Sequence, residues 1–333
     1  MKRDLYRWGI MGAGIIARKM TAALAETENA EAFRVGSKDP ERARRFAMET
    51  GIPRWGDYRD LVTDPEVDIV YVATTHNFHA ENALLAMEHG KHLLIEKPIT
   101  VNAVEAERLM RTAREKDLFL MEALWTRFLP SWQKMREIVR SGGIGEVRLI
   151  DLTFGKFVPP HFEKRLNDPD LAGGASLDLG VYVLTFCAWI FGALPDGLRS
   201  TARLTPRGVD ELATYQLSFP SGGIAQIATG FNLRMSDRAT IYGTRGEIEF
   251  TGFPGGSSFV LARHDGGNEI LGTEEIALEQ VENGFRYQVE EVIACLDGGV
   301  RESTIMPPSE STGIIALIDG MRREWGMVYP NDG

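Results

Sequence analysis

A strand-length run that passes straight into a glycine-rich turn restricts this chain more than any other feature. Arg7-Trp8-Gly9-Ile10-Met11 is followed at once by Gly12-Ala13-Gly14-Ile15-Ile16-Ala17. The pattern is G-x-G-x-x-A, opening a helix expected to run through Leu24. Gly12 permits the tight turn, and Gly14 lets the backbone approach a pyrophosphate at the helix N-terminus, where Ile15 and Ile16 open the first turn. Ala17 allows the helix to pack close to the strand. Glycine-rich turns have many structural uses, but this one sits between strand and helix near the N-terminus. Dinucleotide binding is the better account.

Further strands and helices alternate, as a doubly wound α/β sheet requires. The second strand, Ala32 to Ser37, ends in Gly36-Ser37-Lys38, with Arg42 one turn into a helix over 41–50. NAD sites usually place an acid at this tip, whereas a nearby arginine accommodates a 2′-phosphate. Ser37, Lys38 and Arg42 therefore favour NADP, with NAD possible; the plain alternative is a solvated helix start. A strand at Val67–Ala73 leads into Thr74-Thr75-His76-Asn77-Phe78-His79 and a helix through His89. Thr74, Asn77 and His79 thus lie near a strand's carboxyl end, although a histidine in a first helical turn is also an ordinary structural residue. Leu93-Leu94-Ile95-Glu96-Lys97-Pro98 ends in the same way. Glu96 and Lys97 are placed where open parallel sheets bind ligands, and Pro98 stops the strand. A turn at such a place is where a cis Lys97–Pro98 peptide is expected. A helix over 101–116 and a strand at Leu118–Met121 complete this half.

A length of 333 residues favours two domains. A boundary after Glu122 gives a dinucleotide-binding domain (1–122) and a domain for substrate and oligomerisation (123–333), whose last helix is able to pack back on the first. The net charge of −10 argues against a nucleic-acid or anionic-membrane surface. Cys187 and Cys295 lack metal-ligand spacing, so neither a disulfide framework nor a metal site is expected. No signal peptide is visible, and no run approaches the ~18 uninterrupted apolar residues that span a bilayer. A cytoplasmic protein is expected.

The second half opens with a helix at Trp132–Arg140, a long strand at Glu146–Phe157 and a loop over 158–171 rich in proline and charge. A helix from Ala175 to Phe191 is apolar on nearly every side, hence buried. Asp178, Tyr182 and Thr185 interrupt it at a spacing of four and three, which predicts one stripe on an α-helix. A buried Asp usually finds a cation or shifts its pKa. Lys97 is one candidate partner, and helix-terminal amides are the alternative. Seven alternating segments between Leu198 and Leu271 predict an antiparallel sheet, followed by helices at 286–296 and 309–325.

Together, Gly12-x-Gly14-x-x-Ala17, Glu96-Lys97-Pro98 and Gly173-Gly174-Ala175-Ser176-Leu177-Asp178-Leu179-Gly180-Val181-Tyr182 resemble the glucose–fructose oxidoreductase and inositol dehydrogenase (Gfo/Idh/MocA) family over nearly the whole chain. The resemblance implies a Rossmann domain plus a C-terminal α+β domain with an open-faced, mostly antiparallel sheet that often forms the oligomer interface. A homodimer or higher homo-oligomer through that sheet is expected, since too few helices follow to cover both faces and an uncovered apolar face needs a partner. The motif lysine and the acid–base residue of the later helix correspond to Lys97 and Tyr182. Tyrosine at that position, with Met121-Glu122-Ala123-Leu124-Trp125-Thr126-Arg127-Phe128, is most similar to the dihydrodiol and NADP-dependent aldose dehydrogenase branch. Thr75-His76-Asn77 departs from the Thr-Pro-Asn of many relatives.

The implied reaction moves a hydride between nicotinamide C4 and a secondary alcohol or hemiacetal carbon of a sugar or cyclic diol. Tyr182 is expected to manage the proton, assisted by Lys97, with Asp178 orienting the lysine. A phenol near pKa ~10 needs help at neutrality, and an ammonium about 4 Å away supplies on the order of 4 kcal/mol at an effective dielectric of ~20. Trp125 and Phe157 are expected to offer flat faces to substrate, and Trp125 and Arg127 to contact cofactor. His79 and His161 are the reserve proton carriers. Two rivals stay open: an NADP-sensing regulator without catalysis, and a glycosidase using tightly bound NAD.

Overall fold

The computed structural model describes residues 4–267, 269–280 and 282–332, with the side chains of Pro160 and His161 also left undescribed. His161 therefore lies outside the described side chains. The chain divides into two compact units, 1–125 with 281–312, and 126–280 with 313–333. The chain first passes from one unit to the other after residue 125, where the sequence suggested 122, and 281–312 returns to the first unit. There Tyr6 Oη donates to Asp297 Oδ1 (2.9 Å) and Asn283 Nδ2 donates to the Lys19 carbonyl (2.7 Å).

In the first unit the strands and helices are β1 (Tyr6–Met11), α1 (Ile15–Ala25), β2 (Ala30–Gly36), α2 (Pro40–Thr50), β3 (Arg54–Gly56), α3 (Tyr58–Thr63), β4 (Ile69–Val72), α4 (His79–Glu88), β5 (His92–Glu96), α5 (Ala103–Glu115) and β6 (Leu120–Ala123). The six strands are parallel in the order β3-β2-β1-β4-β5-β6. The order reverses between β1 and β4, the switch point at which such sheets bind ligands. Each central strand is a short apolar run with no exposed residue, as burial on both faces demands. The helix starts follow local chemistry. Asp39 caps α2 with Pro40 at its first position, Asn102 caps α5, and Asp57 and Asp60 close a capping box on α3. Helix α1 has no side-chain cap. β3 and α3 were not foreseen, because three-residue strands and six-residue helices carry too little periodicity.

The second unit contains α6 (Pro130–Arg140), β7 (Val147–Lys156), α7 (Pro160–Leu166), α8 (Val181–Phe191), then β8 (Gly197–Leu204), β9 (Asp210–Ser218), β10 (Ile224–Phe231), β11 (Arg238–Gly243), β12 (Gly246–Thr251), β13 (Ser258–His264) and β14 (Ile270–Ala277). After α9 (Phe285–Asp297) of the first unit, α10 (Pro308–Glu324) ends the regular structure. The eight strands run β14-β13-β12-β11-β7-β10-β9-β8, and only β7 and β10 pair in parallel. One face is packed by α6 and α8, where Trp132 meets Phe186 edge-on (4.8 Å) and Phe154 meets Tyr182 edge-on (6.1 Å).

The opposite face is polar. Thr201, Thr214, Gln216 and Gln226 point outward on β8, β9 and β10, with Ile224, Tyr242 and Val260 among the few exposed apolar side chains. An uncovered apolar face, the expected motive for oligomerisation, is therefore not what this sheet presents. The loop expected over 158–171 contains α7, which Pro160 can begin because its missing N–H is not needed there. Pro169–Phe191, interrupted by Asp170 and Asp178, is by length and composition apolar enough to cross a membrane, but 89% of its most apolar window is buried within the protein. It is a core segment.

Candidate active site

The dinucleotide turn is built by close approach. Gly12 sits at φ +117°, and a Cβ there would lie 2.5 Å from the Ala73 carbonyl oxygen at the end of β4. Only glycine fits. Gly14 is different: its φ of −106° suits any residue, and a Cβ would meet nothing within 4 Å. That open space, beside the uncapped N-terminus of α1, is what a pyrophosphate needs, and the residues present fit a dinucleotide. Ile15 is exposed and Ile16 half-buried beside it.

At the end of β2, Ser37 is buried and its hydroxyl accepts the Asp39 amide (3.3 Å). Lys38 is exposed with Nζ 3.6 Å from the centroid of the Phe78 ring. Arg42 is also exposed and donates Nε to the Ala13 carbonyl (3.2 Å), which ties it to the glycine turn. The fold thus gathers the three residues beside that turn, with two cations at the surface. After β4, Thr74 Oγ1 accepts from Asn82 (3.1 Å), and Thr75 Oγ1 donates to Asn77 Oδ1 (2.8 Å). His79 is fully buried, its ring nitrogens 2.8 Å from the Pro98 carbonyl and 3.2 Å from that of Thr74. This geometry makes His79 a brace between two loops. The neighbouring His76 is also buried and meets it edge-on.

Lys97 follows β5 and is half-buried, and the Lys97–Pro98 peptide is cis, as expected. Glu96 is buried, takes the Tyr71 hydroxyl as donor and accepts the Lys97 amide on Oε2 (3.2 Å). Burial pushes its carboxyl up to about 7, against the Tyr71 hydrogen bond and the Lys97 charge. Glu122, at the end of β6, escaped the sequence reading as a site residue. It is buried and accepts the Ile99 amide (2.9 Å). An acid at the tip of an apolar strand, as at Glu96, was the available signal. Trp125 stacks at a tilt on Phe285 (5.5 Å), a partner from the returning segment.

In the second unit, Ser176–Gly180 forms a π-helical turn before α8. Such turns recur at functional sites. Asp178 has Arg165 of α7 at 3.6 Å, a cation hidden in the expected loop. Asp210 anchors the turn from β9, taking the Ser176 amide and hydroxyl on one oxygen (2.7 Å each), while the Ser176 hydroxyl meets Tyr215 Oη (2.7 Å). Neither Asp210 nor Tyr215 was foreseen, since a buried hydrogen-bond network has no sequence period. Tyr182 opens α8 and is nearly buried, at 9% exposure. Phe157 is well exposed after β7. Arg127, expected to contact the cofactor, is buried, with its guanidinium 3.9 Å over Trp189 and Nη1 on the Thr185 carbonyl (3.3 Å). Among the described residues no cluster of metal-ligating side chains occurs.

Residues 6–124 match the model of an oxidoreductase family with an NAD-binding Rossmann fold, and residues 132–249 match the GFO/IDH/MocA C-terminal domain. The chain belongs to the Gfo/Idh/MocA oxidoreductase family. It is 33% identical over 334 residues to trans-1,2-dihydrobenzene-1,2-diol dehydrogenase of Mus musculus and 31% identical over 341 residues to that of Homo sapiens. The matches cover 98% of each chain in both cases. Among solved structures, a 3-ketoreductase of Actinomadura kijaniata, crystallised with NADP and TDP-benzene, superposes with a TM-score of 0.83 at 27% identity, covering 96% of this chain and 97% of its own. Aldose-aldose oxidoreductase of Caulobacter crescentus shares the fold, with a TM-score of 0.86 at 24% identity over 97% and 98% of the two chains. The protein is thus a nicotinamide-dinucleotide-dependent oxidoreductase, with an N-terminal Rossmann unit and a C-terminal, mostly antiparallel sheet.

Proposed function

We propose that the protein is an NADP-preferring dehydrogenase or reductase that interconverts a CH–OH group and a carbonyl on a sugar or cyclic diol. The carrying observation is full-length likeness to dihydrodiol dehydrogenases in a chain whose glycine turn is built for a dinucleotide. Lys38 and Arg42 at the surface beside that turn, with no acid at the β2 tip, support the 2′-phosphate. The bound nicotinamide supplies the hydride-accepting and hydride-donating carbon. Tyr182 is assigned as general base in alcohol oxidation and general acid in reverse, and Lys97 as the cation that lowers the phenol's pKa. Asp178, with Arg165 at 3.6 Å, is assigned the role of orienting Lys97. Trp125 and Phe157 are assigned to substrate.

A homodimer through the open face of the C-terminal sheet completes the proposal, supported by the outward-pointing Thr201, Thr214, Gln216 and Gln226 of β8, β9 and β10. Because that face is polar, such an interface would be wet and hydrogen-bonded rather than a divided core. A cytoplasmic location fits the two free cysteines. The deciding experiment is a panel of aldoses, cyclic diols and keto sugars, followed by nicotinamide absorbance with NADP(H) and NAD(H). Turnover with one class supports the proposal. Firmly retained NAD with no net nicotinamide change would favour a transient-oxidation glycosidase, and binding without any turnover a sensor.

A further inference from the structure

The segment after β5 is held at successive backbone groups. The Lys97 amide donates to Glu96 (3.2 Å), the Pro98 carbonyl meets His79 (2.8 Å), and the Ile99 amide donates to Glu122 (2.9 Å). The strand register fixes the geometry of the two acids. Ile95 lies opposite Glu122 and Glu96 opposite Ala123, and paired residues on neighbouring strands point to the same face. Glu96 and Glu122 therefore leave opposite faces of the sheet. Tyr71, opposite Leu94 on β4, shares the Glu96 face and donates its hydroxyl there. The acids straddle one short turn whose only ionisable residue is Lys97.

Burying two carboxyls at neighbouring strand ends is costly unless a cation compensates. Glu96 and Glu122 are 6% and 1% exposed. Both interact with Lys97, and the charge of Glu122 disfavours ionisation of Glu96. Burial pushes each up to about 7. The groups facing Glu96 are Tyr71, Lys97 and Glu122, and those facing Glu122 are Ser311, Glu310 and Lys97. Of these, Glu310 raises Glu122, while the Ser311 hydroxyl and the Ile99 amide work the other way.

We propose that Glu122 is a positioning residue for Lys97, which with Glu96 pins the Lys97–Ile99 turn from both faces of the sheet and sets the charge that Lys97 carries into the site. The role rests on Lys97 being a site residue. The backbone hold and the charge are separable, because Glu122→Gln retains an oxygen that can accept the Ile99 amide and loses only the charge.

The test is competitive acetylation of Lys97 as a function of pH, read by mass spectrometry on wild type and Glu122→Gln. The apparent pKa of Lys97 should fall in the variant, because the opposite charge with which Lys97 interacts is removed. The melting temperature should stay close to wild type. An unchanged lysine titration in a folded Glu122→Gln protein overturns the proposal. If that variant does not fold, wild type decides through carbon-13-labelled glutamate carboxyls followed by NMR. Two coupled groups titrating near neutrality support the proposal, and no glutamate titrating above ~5 overturns it. Neither readout uses turnover. A wild-type protein inactive on every substrate would remove the dehydrogenase reading and leave this result standing.

Discussion

Gly12→Ala and Gly14→Ala look alike in sequence and should behave oppositely. At Gly12 the added methyl would lie 2.5 Å from a backbone oxygen and 2.9 Å from its carbon, at φ +117°. Backbone strain alone costs on the order of 1–3 kcal/mol, and β1 must also move away from the end of β4. Gly12→Ala should therefore melt lower even without cofactor. At Gly14 the methyl meets nothing, and the backbone angles are open to alanine. The loss of a favourable helix-start glycine roughly offsets the gain from a stiffer unfolded chain, so cofactor-free stability should change by less than ~0.5 kcal/mol. The methyl then stands where a pyrophosphate must approach. A tenfold weaker Kd would cut the stabilisation by cofactor, at a hundred times the wild-type Kd, from about 2.7 to about 1.4 kcal/mol. Differential scanning fluorimetry with and without NADPH reads both quantities. A Gly14→Ala protein with an undiminished NADPH-induced shift would refute the assignment of this turn to the pyrophosphate.

Other consequences are equally direct. Arg42→Ala should lower kcat/KM for NADP by roughly tenfold to a hundredfold and leave NAD nearly unchanged; equal use of both cofactors by wild type would end the NADP assignment. Sedimentation at micromolar concentration should show a dimer that weakens when a charged residue replaces Thr214 or Gln226 on the open face, and a wild-type monomer would count against that interface. Burial pushes Glu96 and Glu122 up to about 7 in the folded protein, against ~4.3 in an unfolded chain. Their raised values mean a contribution to stability that is complete below ~4 and lost as pH rises through about 7. Glu122→Gln should thus lose less stability than wild type between pH 5 and pH 8, by on the order of 1–3 kcal/mol in urea unfolding, and parallel curves would contradict it.

The chain declared its fold where local chemistry and global architecture agree. The β1 run, the glycine turn and the tips at Thr74 and Lys97 were legible because a parallel strand is a short apolar burst with its ligand end marked by Gly, Thr or Lys. The alternating segments of β8 to β14 were legible because one face is buried and the other wet. What stayed hidden depends on distance in sequence. Arg165 lies thirteen residues before Asp178, inside a stretch that prolines disguise as loop. Asp210 reaches Ser176 from another strand, and Glu122 meets Ile99 only once β6 pairs with β5. The Trp189 ring beneath the Arg127 guanidinium was hidden for a related reason, since it lies in α8, several elements further along the chain. The π-helical turn at Ser176–Gly180 was invisible, because an apolar stretch gives no phase from which to count it.

The most direct trial of the catalytic assignment is single-turnover hydride transfer in wild type and Tyr182→Phe, with NADP and the best substrate of the panel. Tyr182→Phe should slow the chemical step by ~10²–10⁴ while NADPH binding and melting temperature remain near wild type, because the ring still packs against Phe154. The wild-type rate of alcohol oxidation should also rise with pH through a lowered tyrosine pKa. Near-full turnover by Tyr182→Phe, with chemistry rate-limiting, would contradict the account and move the proton to another residue.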